Sequence, residues 1–388
     1  MNSIVVHYQE IALKGRNRPY FVTRFVHNLR VATADLDVRE VRPLMGRVEL
    51  VLGPGAVYEQ VAERVGRVFG CANFAKAGHT PLDIDAIAAA ILHDLGDRET
   101  PTFRVSAKRA DKRFPLKSPD IEREVGGRIK LVKGWKVDLS HPALTIRVEI
   151  LRREAFYSFG RDRGPGGLPS GVSGRVICLM SGGIDSPVAA WRMMKRGCSV
   201  DLVHFHSHPF VSRASQEKVR EIAELLTRWQ LRSRLFLVAF GQLQREIVLA
   251  VPQALRVVLY RRFMLRIADR IARRRGAAAL VTGEVVGQVA SQTLENLSVV
   301  AAATHLPILR PLVGMDKEEI VAQAERIGTY PISIVPDQDC CQLFTPRHPA
   351  TKSRLEDVEA AERLLPVEEM VARAVEEAEV ERYRFPVQ

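Results

Sequence analysis

The chain has little that would staple it together, thread it through a bilayer or hold a structural metal. Five of its 388 residues are cysteine (Cys71, Cys178, Cys198, Cys340 and Cys341), too few and too scattered for a disulfide framework. No CxxC pair and no Cys/His zinc spacing occurs, so no structural zinc site is expected. Aromatic residues make up only 6%, which argues against aromatic-rich β-sandwiches. There is no uninterrupted apolar run of about 18 residues, so no membrane span is expected. The opening MNSIVVHYQEIALKGRNR runs from apolar to charged, the reverse of a secretory signal, which points to a cytoplasmic protein. Internal repeats and low-complexity tracts are missing as well.

What remains is a globular composition with an excess of one charge. Hydrophobic residues at 46% and charged residues at 26% allow ordinary cores, and the length fits two or three domains. Lys+Arg 57 against Asp+Glu 45 leaves +12, which suggests a polyanionic partner, most often nucleic acid. A high-arginine proteome is the bland alternative.

Periodicity divides the chain. SIVVHY and RVELVLG alternate in period two around a helix-like YFVTRFVHNLRVAT, so residues 1–56 read as a small α+β domain. Residues 57–162 repeat the theme, with VYEQVAERVGRVFG and DIDAIAAAILHDLG as helices. TFRVSAKRA, KVDLS and LTIRVEILRREAFYSFG read as strands. Residues 163–174, rich in Gly and Pro, read as a linker or ordered crossing loop. From 175 to 388 short apolar strands (RVICLM, CSVDLVHFH, SRLFLVAF, AAALVTGE) alternate with long helical patterns, the mark of a parallel sheet covered on both faces. The stretch after Pro349 reads as a final helix pair.

SGGIDS (181–186) sits between the first of these strands and its helix. Ser181, Gly182 and Gly183 allow a tight turn with bare N–H groups, and the helix N-terminus behind them completes an anion cradle. The Lys-Ser/Thr ending of a Walker A loop is missing. The segment looks like the PP-loop of ATP pyrophosphatases, enzymes that adenylate an oxygen and release pyrophosphate. By that resemblance Asp185 acts near the phosphates and Ser186 belongs to the loop; alternatively Asp185 only caps its helix. Ligands of parallel sheets sit at the carboxyl ends of strands, which makes Leu179, Met180, His204 and Phe205 candidate adenine neighbours.

Later segments add candidates. In TGEVVGQVASQTLENL (282–297), Gly283 permits close backbone approach and Gln292 offers both a donor and an acceptor to a nucleotide. Arg261 in LYRRFMLRIA is similar to the position that reaches the nucleotide in one PP-loop subfamily; on its own helix it reads as a solvated charge. Asp316 reads as a helix N-cap, and Lys317 falls in the first turn, where the helix dipole disfavours a cation and a phosphate would repay it. Adjacent Cys340 and Cys341, in a loop with Arg347, His348 and Lys352, are candidate nucleophiles. Cys71, Cys178 and Cys198 read as small core residues. His204, His206 and His208 imitate a metal site by spacing but read better as the lining of a pocket. Lys108, Arg109, Lys112, Arg113 and Lys117 cluster in FRVSAKRADKRFPLKS, where acids are sparse, and read as a phosphate-tracking surface with Phe114 beside it.

Five motifs in order resemble the tRNA 4-thiouridine synthetases over nearly the whole chain: YQEIALKGRNRPYF, AKRADKRFP with GPGGLPSG, SGGIDSPVA, TGE with SQTLENL, and RPLVGMDKEEI. The resemblance implies an α/β architecture: a C-terminal parallel-sheet PP-loop (Rossmann-like) domain preceded by two small α+β domains, ferredoxin-like and THUMP. It implies ATP and Mg2+, and tRNA as the RNA partner. It further implies adenylation of uridine 8 at O4, with Asp185 and Lys317 at the phosphates and a persulfide on Cys341 or released sulfide as sulfur source. Cys341 is favoured because its spacing to Pro349 and Thr351 fits the family's catalytic loop, with Cys340 as the resolving thiol. A cysteine desulfurase as sulfur donor, a thiamine sulfur-carrier protein as second acceptor and a homodimer are further expectations of this kind. The form expected is one without the rhodanese domain that many members carry. Two other readings stay open: another adenylating PP-loop ligase, and an RNA-binding protein with an inactive nucleotide site. The first has no need of the basic second domain; the second is expected to lose Asp185 or Lys317.

Overall fold

Alternation along SIVVH becomes strand β1 (Ser3–His7), paired antiparallel with β3 (Arg47–Leu52), in a computed structural model that describes residues 1–336 and 350–387. Between them come α1 (Arg18–Ala32) and β2 (Val38–Leu44), and α2 (Tyr58–Val65) follows. Next in order are β4 (Asn73–Thr80), α3 (Ile84–Leu95), β5 (Thr102–Arg109), α4 (Ser118–Lys133) and β6 (Lys136–Val137). β7 (Leu144–Ile150), β8 (Ala155–Ser158) and β9 (Asp162–Arg163) complete a first compact unit that ends at Pro169. Its strands form one sheet in the order β2-β3-β1-β4-β8-β7-β5-β6, with β9 on β4. The long expected strand LTIRVEILRREAFYSFG is two strands, β7 and β8, because the charged LRRE makes the turn between them. β2 and β4 carry too many polar residues to announce themselves in sequence.

Period two decides what each face of this sheet does. On β7, Leu144, Ile146, Val148 and Ile150 are buried, while Thr145, Arg147 and Glu149 keep partial exposure on the other face. The buried side packs on α3 through Ile87 and Ile91 and on α4 through Ile121, Val125 and Ile129. Those three repeat every fourth residue, one face of a helix. Each contributes roughly 1.5–3 kcal/mol by leaving water, before chain entropy is counted. The Gly/Pro segment after β9 is an ordered crossing. The Gly164 N–H donates to Ala72 O and the Gly166 N–H to Cys71 O, and a Cβ on Gly164 would fall 2.3 Å from Cys71 O.

The second unit, Ser170–Val387, is built on six strands: β10 (Arg175–Leu179), β11 (Ser199–His206), β12 (Arg232–Ala239), β13 (Ala279–Val281), β14 (Ile308–Leu309) and β15 (Glu379–Arg384). The order is β14-β13-β10-β11-β12-β15, all parallel except β15. Its helices are α5 (Asp185–Lys195), α6 (Ala214–Gln230), α7 (Gly241–Ala250), α8 (Arg256–Arg275), α9 (Leu294–Ala301), α10 (Lys317–Ile327), α11 (Tyr330–Ser333), α12 (Leu355–Glu362) and α13 (Val367–Glu376). The expected C-terminal helix pair is α12 and α13, followed by β15, whose EVERYR alternation closes the sheet edge. Fold class is therefore mixed α/β, with a parallel sheet in the C-terminal part.

One charge cluster sits inside the core of the second unit. Arg262, 1% exposed, grips the Glu362 carboxylate with Nε and Nη2, both at 2.8 Å, and Arg266 adds a third bond at 2.9 Å. Burial pushes the Glu362 carboxyl up, but hydrogen bonds and charge from Arg262 and Arg266 hold it below the ordinary glutamate range. Removing one partner leaves a buried charge uncompensated, so Glu362→Ala should destabilise the second unit by about 3–5 kcal/mol in urea unfolding. Because the folded carboxyl is the stronger acid, its contribution is present above the unfolded value near ~4.3 and fades as pH falls through the folded one. The wild-type advantage over Glu362→Ala should therefore shrink on acidification. An advantage that grows would refute the linkage.

Candidate active site

The site begins where β10 ends. Ser181 N–H donates to Ser186 Oγ at 2.9 Å, and Ser186 Oγ in turn donates to Ser181 O at 3.1 Å. Gly183 N–H donates to Ser181 Oγ at 3.3 Å. The two serines of SGGIDS thus hold the turn in shape, and α5 starts with Asp185 as its first helical residue. Gly283, after β13, faces this start so closely that a Cβ would lie 2.8 Å from Ser186 N and 3.0 Å from Asp185 C. Both neighbours are backbone and have nowhere to go.

A cleft of about 420 Å³ opens here, within the range of small-molecule sites. Of the residues named from sequence, Leu179, Ser181, Asp185, Ser186, Arg261, Gly283 and Gln292 line it. Lys317, first residue of α10, reaches in to donate to Asp185 Oδ1 at 2.7 Å, while Gln288 Nε2 donates to Oδ2 at 3.0 Å. Asp316 does cap α10: its carboxylate accepts from Glu319 N–H at 2.8 Å. Gln292 Oε1 is buried without a hydrogen-bond partner among the described residues, an acceptor left for a ligand.

The remaining adenine candidates sit behind the wall rather than on it. Met180 is buried, and its carbonyl accepts from His204 Nδ1 at 2.9 Å, which ties the ends of β10 and β11 together. Phe205 packs edge-on against Phe240 in the core at 5.5 Å. Gly182 is buried and Gly183 exposed in the turn, outside the cleft lining. His206 is held near 4 by burial, then by His204 and His208, and so is neutral at physiological pH.

Several residues of the site were not singled out in sequence. Glu284, buried below Gly283, bonds Arg261, Arg310 (2.6 Å) and Thr282 Oγ1 (2.8 Å). Burial pushes its carboxyl up, and Arg261 and Arg310 override that and hold it below the usual range. Arg261 also donates to Ser291 O at 2.7 Å, so its guanidinium is fixed and not a free surface charge. The only sequence signal for Glu284 is its place in TGE at a strand end. Gln288 lies in GQVASQ, with nothing local to mark it.

Cys340 and Cys341 lie outside the described residues; their flanks do not. Ser333 Oγ donates to Gly183 O at 3.4 Å, and Lys218 Nζ donates to Ser333 O at 3.1 Å. On the other side Thr293 Oγ1 donates to Thr351 O at 2.7 Å, and Asn296 bonds Ala350 O (2.8 Å) and Ser353 N (3.0 Å). The SQTLENL motif thus anchors the chain just after the cysteine segment. The other three thiols are buried, and burial pushes that of Cys178 up to about 12.

In the first unit Lys108, Lys112, Arg113 and Lys117 are exposed. Arg109 is different: its Nη1 donates to the carbonyls of Phe114 (3.1 Å) and Leu116 (3.0 Å), folding the loop back on itself. Arg113 pairs with Asp111 at 2.5 Å.

A parallel sheet with a serine-glycine turn at the head of its central strand, an Asp–Lys pair beside that turn and a cleft ending in an unpaired Gln acceptor defines a PP-loop nucleotide-binding unit. Family models match in three places: a ThiI ferredoxin-like domain at 3–75, a THUMP domain at 81–158, and the thiamine biosynthesis protein (ThiI) at 171–367. A protein named as a probable tRNA sulfurtransferase, from Thermus thermophilus, is 49% identical over 386 residues, covering 99% of this chain and 94% of its own. One from Moorella thermoacetica is 47% identical over 380 residues, 97% of each. A 4-thiouridine synthetase crystallised with RNA and bound ATP superposes with a TM-score of 0.89 at 36% identity, over 98% of this chain and 99% of that one. The chain belongs to the ThiI family.

The tightest constraint in the site is steric, which makes it testable. Gly283→Ala should raise the KM for ATP by about fivefold or more, since overpacking of about 1–3 kcal/mol falls on the turn itself. Steady-state kinetics at saturating tRNA would read this. An unchanged KM would mean that the turn and β13 are free to separate.

Proposed function

We propose that the protein uses ATP to convert a uridine of tRNA, position 8 as in the family it resembles, into 4-thiouridine. The Asp185–Lys317 pair set against the SGGIDS turn carries this reading, in a chain similar over its whole length to a 4-thiouridine synthetase solved with RNA and ATP. In the first step uridine O4 attacks the α-phosphorus of ATP, and the bond to pyrophosphate breaks. Lys317 offers a cation to the departing charge, and the N-terminus of α5 offers its free N–H groups. Gln292 Oε1 accepts from a donor of the nucleotide, and Arg261, fixed by Glu284 and Ser291, shapes that wall. Mg2+ is commonly held by one or two carboxylates together with substrate phosphates, and Asp185 fits that donor set, where the ion would neutralise phosphate charge.

In the second step sulfur replaces AMP. The terminal sulfur of a Cys341 persulfide attacks C4, and the C4–O bond to AMP breaks. The Cys340 thiolate then attacks Cys341 Sγ; a disulfide forms, and 4-thiouridine leaves with the outer sulfur. A dithiol reductant restores the pair. The described flanks support this reading, since Ser333 reaches the SGGIDS turn at Gly183 O and Thr351 O is held by Thr293, and the buried, poorly acidic Cys178 is unsuited to this role. A cysteine desulfurase is the proposed persulfide source, and a thiamine sulfur-carrier protein a second acceptor.

Asp185→Ala should abolish thiolation, read by mass analysis of tRNA nucleosides, while tRNA affinity changes less than about twofold. A parallel loss of RNA binding would contradict the assignment of Asp185 to chemistry alone. Cys341→Ser should be inactive, and Cys340→Ser should stop with the base held to Cys341 through a C4–S–S bond, giving at most one equivalent of 4-thiouridine when a thiol reductant is added. Full multiple-turnover activity of Cys341→Ser with a desulfurase as donor would remove the covalent step.

A further inference from the structure

The open face of the sheet in the first unit gathers positive charge that its own acids do not balance. β5 and β7 run parallel with Ser106 beside Arg147 and Lys108 beside Glu149, and β8 sets Ser158 opposite Arg147. From beyond β8, Arg161 donates to Asn73 Oδ1 on β4 at 2.5 Å. Asn73, Ser106, Lys108, Arg147, Ser158 and Arg161 line one cavity of about 130 Å³. The one carboxylate there is Glu149, and it is engaged by Arg47 and by His7 Nε2 at 3.0 Å. His7 adds no charge: burial, then Arg47, Arg161, Lys108 and Arg147, hold its imidazole down to about 3. With Glu149 set against Arg47, three cations remain: Lys108, Arg147 and Arg161. Among the described residues neither Lys108 nor Arg147 has an acid partner.

Like charges drawn together in a partly closed site repel one another and lose hydration, which destabilises the fold unless an anion joins them. We propose that this cavity binds a phosphate monoester, end-on. Near neutral pH a monoester carries about −1.5 to −2 and three acceptor oxygens, which suits three cations and two hydroxyl donors. A diester carries one charge and continues in both directions, so it needs a trough. A volume of about 130 Å³ leaves room for the phosphate and the start of what bears it. The phosphate comes either from the 5′ end of an RNA or from a small phosphorylated molecule; only the first source rests on the tRNA reading.

The test compares 5′-phosphorylated tRNA with phosphatase-treated tRNA by fluorescence anisotropy, and follows inorganic phosphate by 31P line broadening. Wild type should bind the phosphorylated tRNA about tenfold more tightly, the scale of charge-assisted hydrogen bonds. Arg147→Gln and Lys108→Gln, each checked by thermal melting, should erase that difference. If the 5′ end is without effect but both variants abolish broadening by inorganic phosphate, the cavity binds a free phosphate, and the proposal stands with that source. If neither the RNA end nor inorganic phosphate distinguishes wild type from the variants, the proposal is overturned. A wild type that fails to bind tRNA at all would overturn the RNA reading separately, since the phosphate arm does not depend on it.

Discussion

Everything at the nucleotide end of the second unit depends on one contact between backbones. The chain leaving β13 meets the first turn of α5 at Gly283, with no space for a side chain between them. That approach fixes where the turn after β10 presents its N–H groups, because Ser181 and Ser186 have already locked the turn internally. It also brings Glu284 beneath the cleft, where one carboxylate orients Arg261 and Arg310. A bulkier residue at this position would disturb the SGGIDS turn, the Asp185 carboxylate and the arginine wall together.

The second organising feature is that the site's charges are paired before any ligand arrives. Asp185 is bonded by Lys317 and Gln288, and Glu284 by two arginines. The Asp185 pair, at a partly exposed cleft, costs little to break, because water and salt already weaken it. The deeper pair differs. Glu284 is buried, its desolvation is met by two guanidiniums, and it has no reason to let go. The outer pair is thus suited to rearrange around substrate and the inner one to hold the wall while that happens.

Much of this was legible in the sequence, for physical reasons that also mark its limits. A Gly-rich turn between an apolar run and an amphipathic helix is a local pattern, and SGGIDS, Gly283 and the Asp316 cap could be read from neighbours alone. Glu284, Gln288 and Arg310 could not, since their partners lie 23, 103 and 26 residues away. His204 and Phe205 mark the opposite limit. A place at a strand end points toward a ligand of a parallel sheet, whereas the ends of β10 and β11 close on each other through the His204–Met180 bond and neither side chain lines the cleft. β2, β4 and β15 escaped notice because each carries several polar residues and pairs with strands remote in sequence.

Net charge raised the expectation of a polyanion, but counting residues does not say where free charge lies. Arg113 is paired with Asp111, and Arg262 with Glu362 in the core. Both count among the 57 basic residues, yet charges neutralised in this way do little to attract a distant anion. The field outside the protein is set instead by cations without acid partners, such as Lys108 and Arg147 on the open sheet face. Sequence placed one of these within a basic run and passed over the other, because Arg147 sits alone in LTIRVEI between apolar residues. Period two turns that isolated arginine away from the core and toward its counterparts on neighbouring strands. A basic surface made this way is assembled by strand register, not by a run of lysines and arginines.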